Sequence, residues 1–187
     1  MGIFLALIHH PVLNRLGEVG TTAVTNVDLH DLARAGRTFG VERFFIVTPI
    51  ELQKELVRRV VHHWTDGPGG RRVKSRVDAF SLIEVVSDVE TLRARVREIA
   101  GEDALLMVTG AGLQEGTIPF PVMRERLKTD DSPVLLLFGT GYGMAPELIA
   151  QADIRLPAIV GPGGIADYNH LSVRAAAVIV LDRLFGD

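Results

Sequence analysis

Two glycine-rich turns stand close together late in the chain, Gly139-Thr140-Gly141-Tyr142-Gly143 and Gly161-Pro162-Gly163-Gly164. Glycine lets a ligand approach bare peptide, and prolines such as Pro157 and Pro162 stiffen the turn that presents the amides and carbonyls. The first turn directly follows the apolar run Val134–Phe138, and an open α/β sheet places its ligands outside the carboxyl ends of its strands. Neither turn is followed by the Lys-Ser/Thr of a phosphate loop. The spacing Gly139-x-Gly141-x-Gly143, so late in the chain, also departs from the dinucleotide fingerprint. Peptide groups presented in this way read the edge of an adenine and the hydroxyls of a ribose as readily as an anion. Each turn alone is as well explained as an ordinary tight turn; together, beside an apolar helix, they read as a site.

A second set of residues could handle a proton or an anion. Over Val27–Phe39 the spacing predicts a helix, with Asn26 as its N-cap and Asp28 and Asp31 in its first turn, where the helix dipole favours carboxylates. At about 100° per residue, Leu29, Leu32, Gly36 and Phe39 share the buried side, while His30, Arg34 and Arg37 fall within roughly 60° of one another on the other. The same charges also read as a solvated face carrying an Asp31–Arg34 pair. The stretch His62 to Arg76 reads as a turn-rich loop that clusters Arg71, Arg72, Lys74 and Arg76 beside Trp64, a patch suited to phosphates and an unstacked base, or simply a solvated loop.

Strand-length apolar runs position these groups: Ile3–Ile8, Arg43–Thr48, Leu82–Val86, Ala104–Thr109, Val134–Phe138 and Ile154–Leu156. They alternate with stretches of helical period at Val27–Phe39, Glu51–Trp64, Val89–Ala100, Pro121–Lys128, Pro146–Gln151 and Asp167–Phe185, the pattern of an α/β domain with a mostly parallel sheet. The last helix is apolar on nearly every side, broken mainly by Arg174, Asp182 and Arg183, so it must be covered on more than one face, by its own domain or by a partner subunit. With 187 residues, no internal repeat and no linker, residues 1–187 read as one domain. The apolar core at the N-terminus is only Ile3 to Ile8, too short for a signal peptide, and no run approaches the ~18 residues of a membrane span. The cytoplasm is the expected compartment. Zero cysteines exclude disulfides and thiolate chemistry, no metal is expected, and a net charge of −3 confines any nucleic-acid binding to a local patch.

Three segments resemble, in order and spacing, the motifs of the SpoU–TrmD (SPOUT) class of S-adenosylmethionine-dependent RNA methyltransferases: LARAGRTFGV (32–41), LLLFGTGYGM (135–144) and RLPAIVGPGGIADYNHLSVRAAAV (155–178). The similarity is strongest to small domains that occur alone or fused to tRNA guanine-N1 methyltransferase, and it spans Ile3 to Phe185. The resemblance implies an α/β knot whose C-terminal segment threads a loop as a deep trefoil, and a homodimer with the last helix across the two-fold. It also implies S-adenosylmethionine held by Thr109 and Gly110, by Gly139, Thr140, Gly141 and Gly143, and by Leu156, Ile159, Val160 and Gly161 with Leu171 behind them.

For chemistry, the first-motif arginine falls on Arg34 and its neighbouring asparagine on Asp28. The third-motif asparagine falls on His170 and its serine on Tyr168, while the second-motif glutamate has no counterpart. Asp28, His30, Asp31 and His170 are the candidate bases, Arg34 the group that orients a phosphate or stabilises developing negative charge. Arg37, Arg71, Arg72, Lys74 and Arg76 are the expected contacts to tRNA or rRNA. The departures leave a ribose hydroxyl and a base nitrogen both open as acceptor, with a non-catalytic cofactor- or RNA-binding dimeric module of the same fold as the alternative function.

Overall fold

In the computed structural model, which describes residues 1–162 and 168–187, the chain opens with the all-apolar strand β1 (Ile3–Ile8), then a small hairpin, β2 (Val12–Leu13) and β3 (Val19–Gly20). There follow α1 (Asn26–Thr38), β4 (Arg43–Val47), α2 (Glu51–Thr65), α3 (Pro68–Arg72), α4 (Lys74–Phe80), β5 (Ile83–Val86) and α5 (Val89–Ala100). The remainder is β6 (Leu105–Thr109), α6 (Phe120–Leu127), β7 (Val134–Gly139), α7 (Pro146–Ile149), β8 (Ile154–Arg155) and α8 (Val173–Phe185). The main sheet has the order β5-β4-β1-β7-β6-β8, and every pairing in it is parallel.

Parallel strands are covered on both faces, which is why these runs are continuously apolar rather than alternating. Successive side chains point to opposite faces. Leu5, Leu7, Phe44, Ile46, Leu136 and Phe138 meet one layer, built from α1, α4, α6 and α8. Phe4, Ala6, Phe45, Val47, Leu135 and Leu137 meet the other, built from α5 and α7. From β1 the chain steps outward to β4 and β5, then crosses to β6 and returns to β7 beside β1. The strand order therefore reverses between β1 and β7. In open α/β sheets, that reversal leaves a crevice at the carboxyl ends.

Three local readings of the sequence change. Thr25, not Asn26, caps α1: its hydroxyl accepts from the Asp28 amide at 3.3 Å and donates to Asp28 Oδ2 at 2.5 Å, so the carboxylate holds the cap in place. The stretch from His62 to Arg76 is the end of α2, then α3, then the start of α4. Its glycines are packing devices rather than turn formers: a Cβ on Gly69 would stand 2.7 Å from the His63 ring, and one on Gly70 2.5 Å from the Trp64 carbonyl oxygen. Only bare backbone lets α3 seat on the last turn of α2. The last helix begins at Val173, where the Ser172 hydroxyl accepts from Ala175 N at 3.2 Å; Asp167, its expected start, lies outside the described residues, as do Gly163 and Gly164.

Candidate functional site

Because β6 lies between β7 and β8, the three stretches that follow these strands emerge side by side at one edge of the sheet. Leu156 N donates to Val108 O at 2.9 Å and Ala158 N to Leu113 O at 3.3 Å, so the segment after β8 runs along the loop after β6. Thr109 and Gly110, Gly139–Gly143 and Leu156–Gly161 are thereby neighbours.

The first glycine turn is held from beneath by the chain itself. Leu13 N donates to Gly143 O at 2.8 Å, Tyr142 N to Leu13 O at 3.1 Å and Ala145 N to Pro11 O at 3.1 Å. Gly141 sits at φ +61°, and a Cβ there would stand 2.9 Å from Leu13 O; one on Gly139 would stand 2.7 Å from Met144 Cγ. Gly141 thus answers to the hairpin and Gly139 to the return of its own turn. Among the described residues nothing lies within 4 Å of a Cβ built on Gly143 or Gly161, and only Leu113, at 3.7 Å, of one on Gly110, so no described side chain closes over their bare peptide. Val160 and Leu171 expose apolar surface nearby in sequence.

Past the ends of β1 and β7 lies a partly buried polar chain that ties Thr140 of the glycine turn to His9 and Thr22, which no sequence motif announced. Thr140 Oγ1 donates to Ile8 O at 2.9 Å, Thr22 Oγ1 contacts Thr140 Oγ1, and His9 Nδ1 lies 3.0 Å from Thr22 Oγ1. A hydroxyl carries one hydrogen, so with that of Thr140 committed to Ile8 O, Thr22 donates to Thr140 and His9 donates to Thr22. His9 therefore bears its proton on Nδ1, and among the described residues its buried Nε2 has no hydrogen-bond partner. Burial pushes the His9 pKa down to about 4, opposed by the negative charge of Asp28. The imidazole is neutral near pH 7.

The charged face of α1 is also not as the helix alone predicts. Arg174 of α8 reaches across, Nη1 2.8 Å from Asp28 Oδ1 and Nε 3.4 Å from Asp31 Oδ2. Asp31 thus pairs with Arg174 rather than with Arg34. Asp28 is buried, with one oxygen taken by Arg174 and the other by Thr25. Arg34 is exposed and has no carboxylate within 4 Å among the described residues.

His30 faces elsewhere. Arg76 Nη1 lies 2.7 Å from His30 Nδ1, and since a guanidinium only donates, that nitrogen accepts. The imidazole meets Trp64 edge-on at 5.1 Å and Phe80 at 4.6 Å. Burial first, then the charge of Arg76, lowers its pKa. Arg76 itself lies over Trp64, 5.8 Å from the ring centre, so it is tied to the fold while Arg71, Arg72 and Lys74 are exposed. Arg37 stands about two and a half helical turns after Asp28, about 13 Å along the axis, toward the amino ends of the strands and away from the glycine turns. His170 is exposed, its ring 5.1 Å from that of Tyr168. Arg174 and His9 are the residues that sequence reasoning missed. An arginine set alone in the first, apolar turns of α8 was the signal for the first, since a half-buried charge needs a partner; nothing in the sequence set His9 apart.

Residues 2–186 match a protein family described as SAM-dependent RNA methyltransferase. The chain belongs to that family. S-adenosylmethionine is the family's methyl donor and RNA its acceptor. The chain is 40% identical to the tRNA (guanine-N(1)-)-methyltransferase of Nitratidesulfovibrio vulgaris over 99% of its own length but 42% of that protein's, so it spans less than half of that relative. It is 35% identical to an uncharacterized protein of Aquifex aeolicus, over 98% of this chain and 88% of that one. Among solved structures it resembles the SpoU methyltransferase AviRb of Streptomyces viridochromogenes, with a TM-score of 0.59 at 15% identity over 98% of this chain and 58% of that one. The layered parallel sheet of this family member is thus the fold of the SpoU-type enzymes. Among the described residues no helix is long and apolar enough to cross a membrane.

Proposed function

We propose that residues 1–187 act as one methyltransferase domain that holds S-adenosylmethionine in the cleft between Thr109–Gly110, Gly139–Gly143 and Leu156–Gly161, and that tRNA is its acceptor. The observation that carries this reading is the side-by-side emergence of those stretches, with Gly143 and Gly161 open to an incoming ligand. The residues fit such a group. Peptide donors and acceptors suit adenine and ribose edges, and the apolar side chains of Val160 and Leu171 suit a purine face.

S-adenosylmethionine supplies a methyl group on a positively charged sulfur, ready for in-line displacement. Alignment is then the main resource, because a fixed approach replaces a bimolecular encounter. The chain fixes it from two sides: the His9–Thr22–Thr140 chain anchors the glycine turn to β1, and α1 presents Arg34 for a phosphate or for negative charge developing on the acceptor. The acceptor's proton needs a base. His170 is exposed enough to receive it, Asp31 is exposed but shares Arg174, and Asp28 could do so only by giving up Arg174 or Thr25, His30 only by leaving Arg76.

The same reading carries the trefoil knot that the family resemblance implies and pairs two copies across α8 in the cytoplasm. One chain leaves Val178 of α8 40% exposed, with Val173, Ala175, Ala176 and Ile179 partly so, which fits a second cover. Calorimetry with S-adenosylmethionine, followed by tritium transfer from it to total tRNA and rRNA, tests the proposal. Micromolar binding and label in tRNA are expected; a protein indifferent to the cofactor overturns it.

A further inference from the structure

Asp31 and Arg34 stand three positions apart on α1, where side chains are neighbours and opposite charges pair. Left to the helix, Arg34 would spend its charge on Asp31. The structure distributes the charges differently. Arg174 spans both carboxylates of the face, Nη1 at 2.8 Å from Asp28 and Nε at 3.4 Å from Asp31. The planar guanidinium fork makes this possible, because its nitrogens diverge in one rigid plane toward acceptors one helical turn apart. Two carboxylates and two arginines are present, yet both carboxylates go to Arg174. Arg34 stays exposed, with no carboxylate within 4 Å among the described residues.

We infer that Arg174 is a positioning residue for RNA: by occupying Asp31 it keeps the Arg34 guanidinium uncommitted, so that Arg34 can take a phosphate of the acceptor strand. Arg174 stands in the first turn of α8, two residues past the Ser172 cap and three past Leu171, so the device ties the segment beside the cofactor cleft to the RNA-facing helix. A carboxylate released beside Arg34 would compete with every phosphate that approaches it, and competition within one helix needs no diffusion. The inference rests on the proposed binding of RNA at α1.

The test is the salt dependence of binding of the full chain to unfractionated tRNA, since each phosphate neutralised adds roughly 0.7 to 0.9 to the slope of log affinity against log salt. Arg34→Ala should lower the slope by one such step, and Arg174→Ala should do the same. Arg174→Lys guards against misfolding. Its single ammonium can keep Asp28 paired but cannot reach both carboxylates, so it too should lose one step while melting like the parent and binding S-adenosylmethionine as tightly.

The deciding variant adds Asp31→Asn to Arg174→Lys. With no carboxylate left to capture Arg34, slope and affinity should return to the parent values. A loss that Asp31→Asn does not rescue overturns the inference, because Arg174 then contacts RNA itself or only supports the fold. A parent-like slope in Arg174→Lys, with Arg34→Ala lowered, overturns it alone. An unchanged slope in Arg34→Ala overturns it together with the placement of RNA on α1.

Discussion

His9 shows how much one buried ring constrains. The hydrogen-bond order through Thr22 and Thr140 to Ile8 fixes a proton on Nδ1, and burial, which disfavours a second proton on Nε2, lowers its pKa to about 4 against an ordinary 6.5. Between those values the unfolded chain binds a proton that the folded chain refuses. Stability is therefore full above pH 6.5, declines as the pH falls through the window and levels off for this group below about 4. The upper bound is about 3 kcal/mol by linkage. Urea unfolding at pH 7.0 and 4.5 should show that decline in the parent. His9→Asn, whose amide nitrogen can replace the Nδ1 donor but does not titrate, should lose most of it. Equal pH dependence in the two proteins would mean that acid acts elsewhere, with His30, shifted in the same direction, the first place to look.

At the scale of elements, α3 and α4 form a buttress for α1 rather than a loop over it. Pro68 starts α3, Gly69 and Gly70 let it seat on α2, and Phe80 of α4 closes over His30 beside Trp64. Arg76 then bridges to His30. Gly70→Ala would place a Cβ against the Trp64 carbonyl and lift α3, at a cost of about 1–3 kcal/mol. Trp64 is the sole tryptophan, so its emission reports the event directly: a red shift on substitution, with a lower melting temperature, is expected. Parent-like emission and melting would show that the seat is looser than the contact distance implies. Because the exposed Arg71, Arg72 and Lys74 ride on this buttress, their placement relative to Arg34 depends on two buried glycines.

For the whole molecule, the sheet topology places the reversal of strand order between the parallel neighbours β1 and β7, and the polar groups of the site gather around it: His9 after β1, Thr140 after β7, and Asp28 and Arg174 on the helices that pack there. α8 is buried along Ala177, Val180, Leu181 and Leu184 and open along Val178. If a second copy covers that open side, Val178→Asp should halve the mass measured by sedimentation while leaving the secondary structure intact, since the new charge points away from this chain's own core. A dimer that survives the change would place the two-fold elsewhere.

The parallel sheet and the glycine turns at its carboxyl edge were readable along the chain, because apolar runs of strand length and periodic helices are local patterns that burial on both faces imposes on sequence. Arg34 on the open face of its helix was readable for the same reason. The owner of each charge was not. Asp31 has an arginine three residues away and pairs instead with one 143 positions later, and His9 acquires its tautomer from hydroxyls at 22 and 140. Local spacing says which partners are available to a polar group. Only the packed chain, in which burial leaves no water to stand in for a missing partner, decides which one it takes.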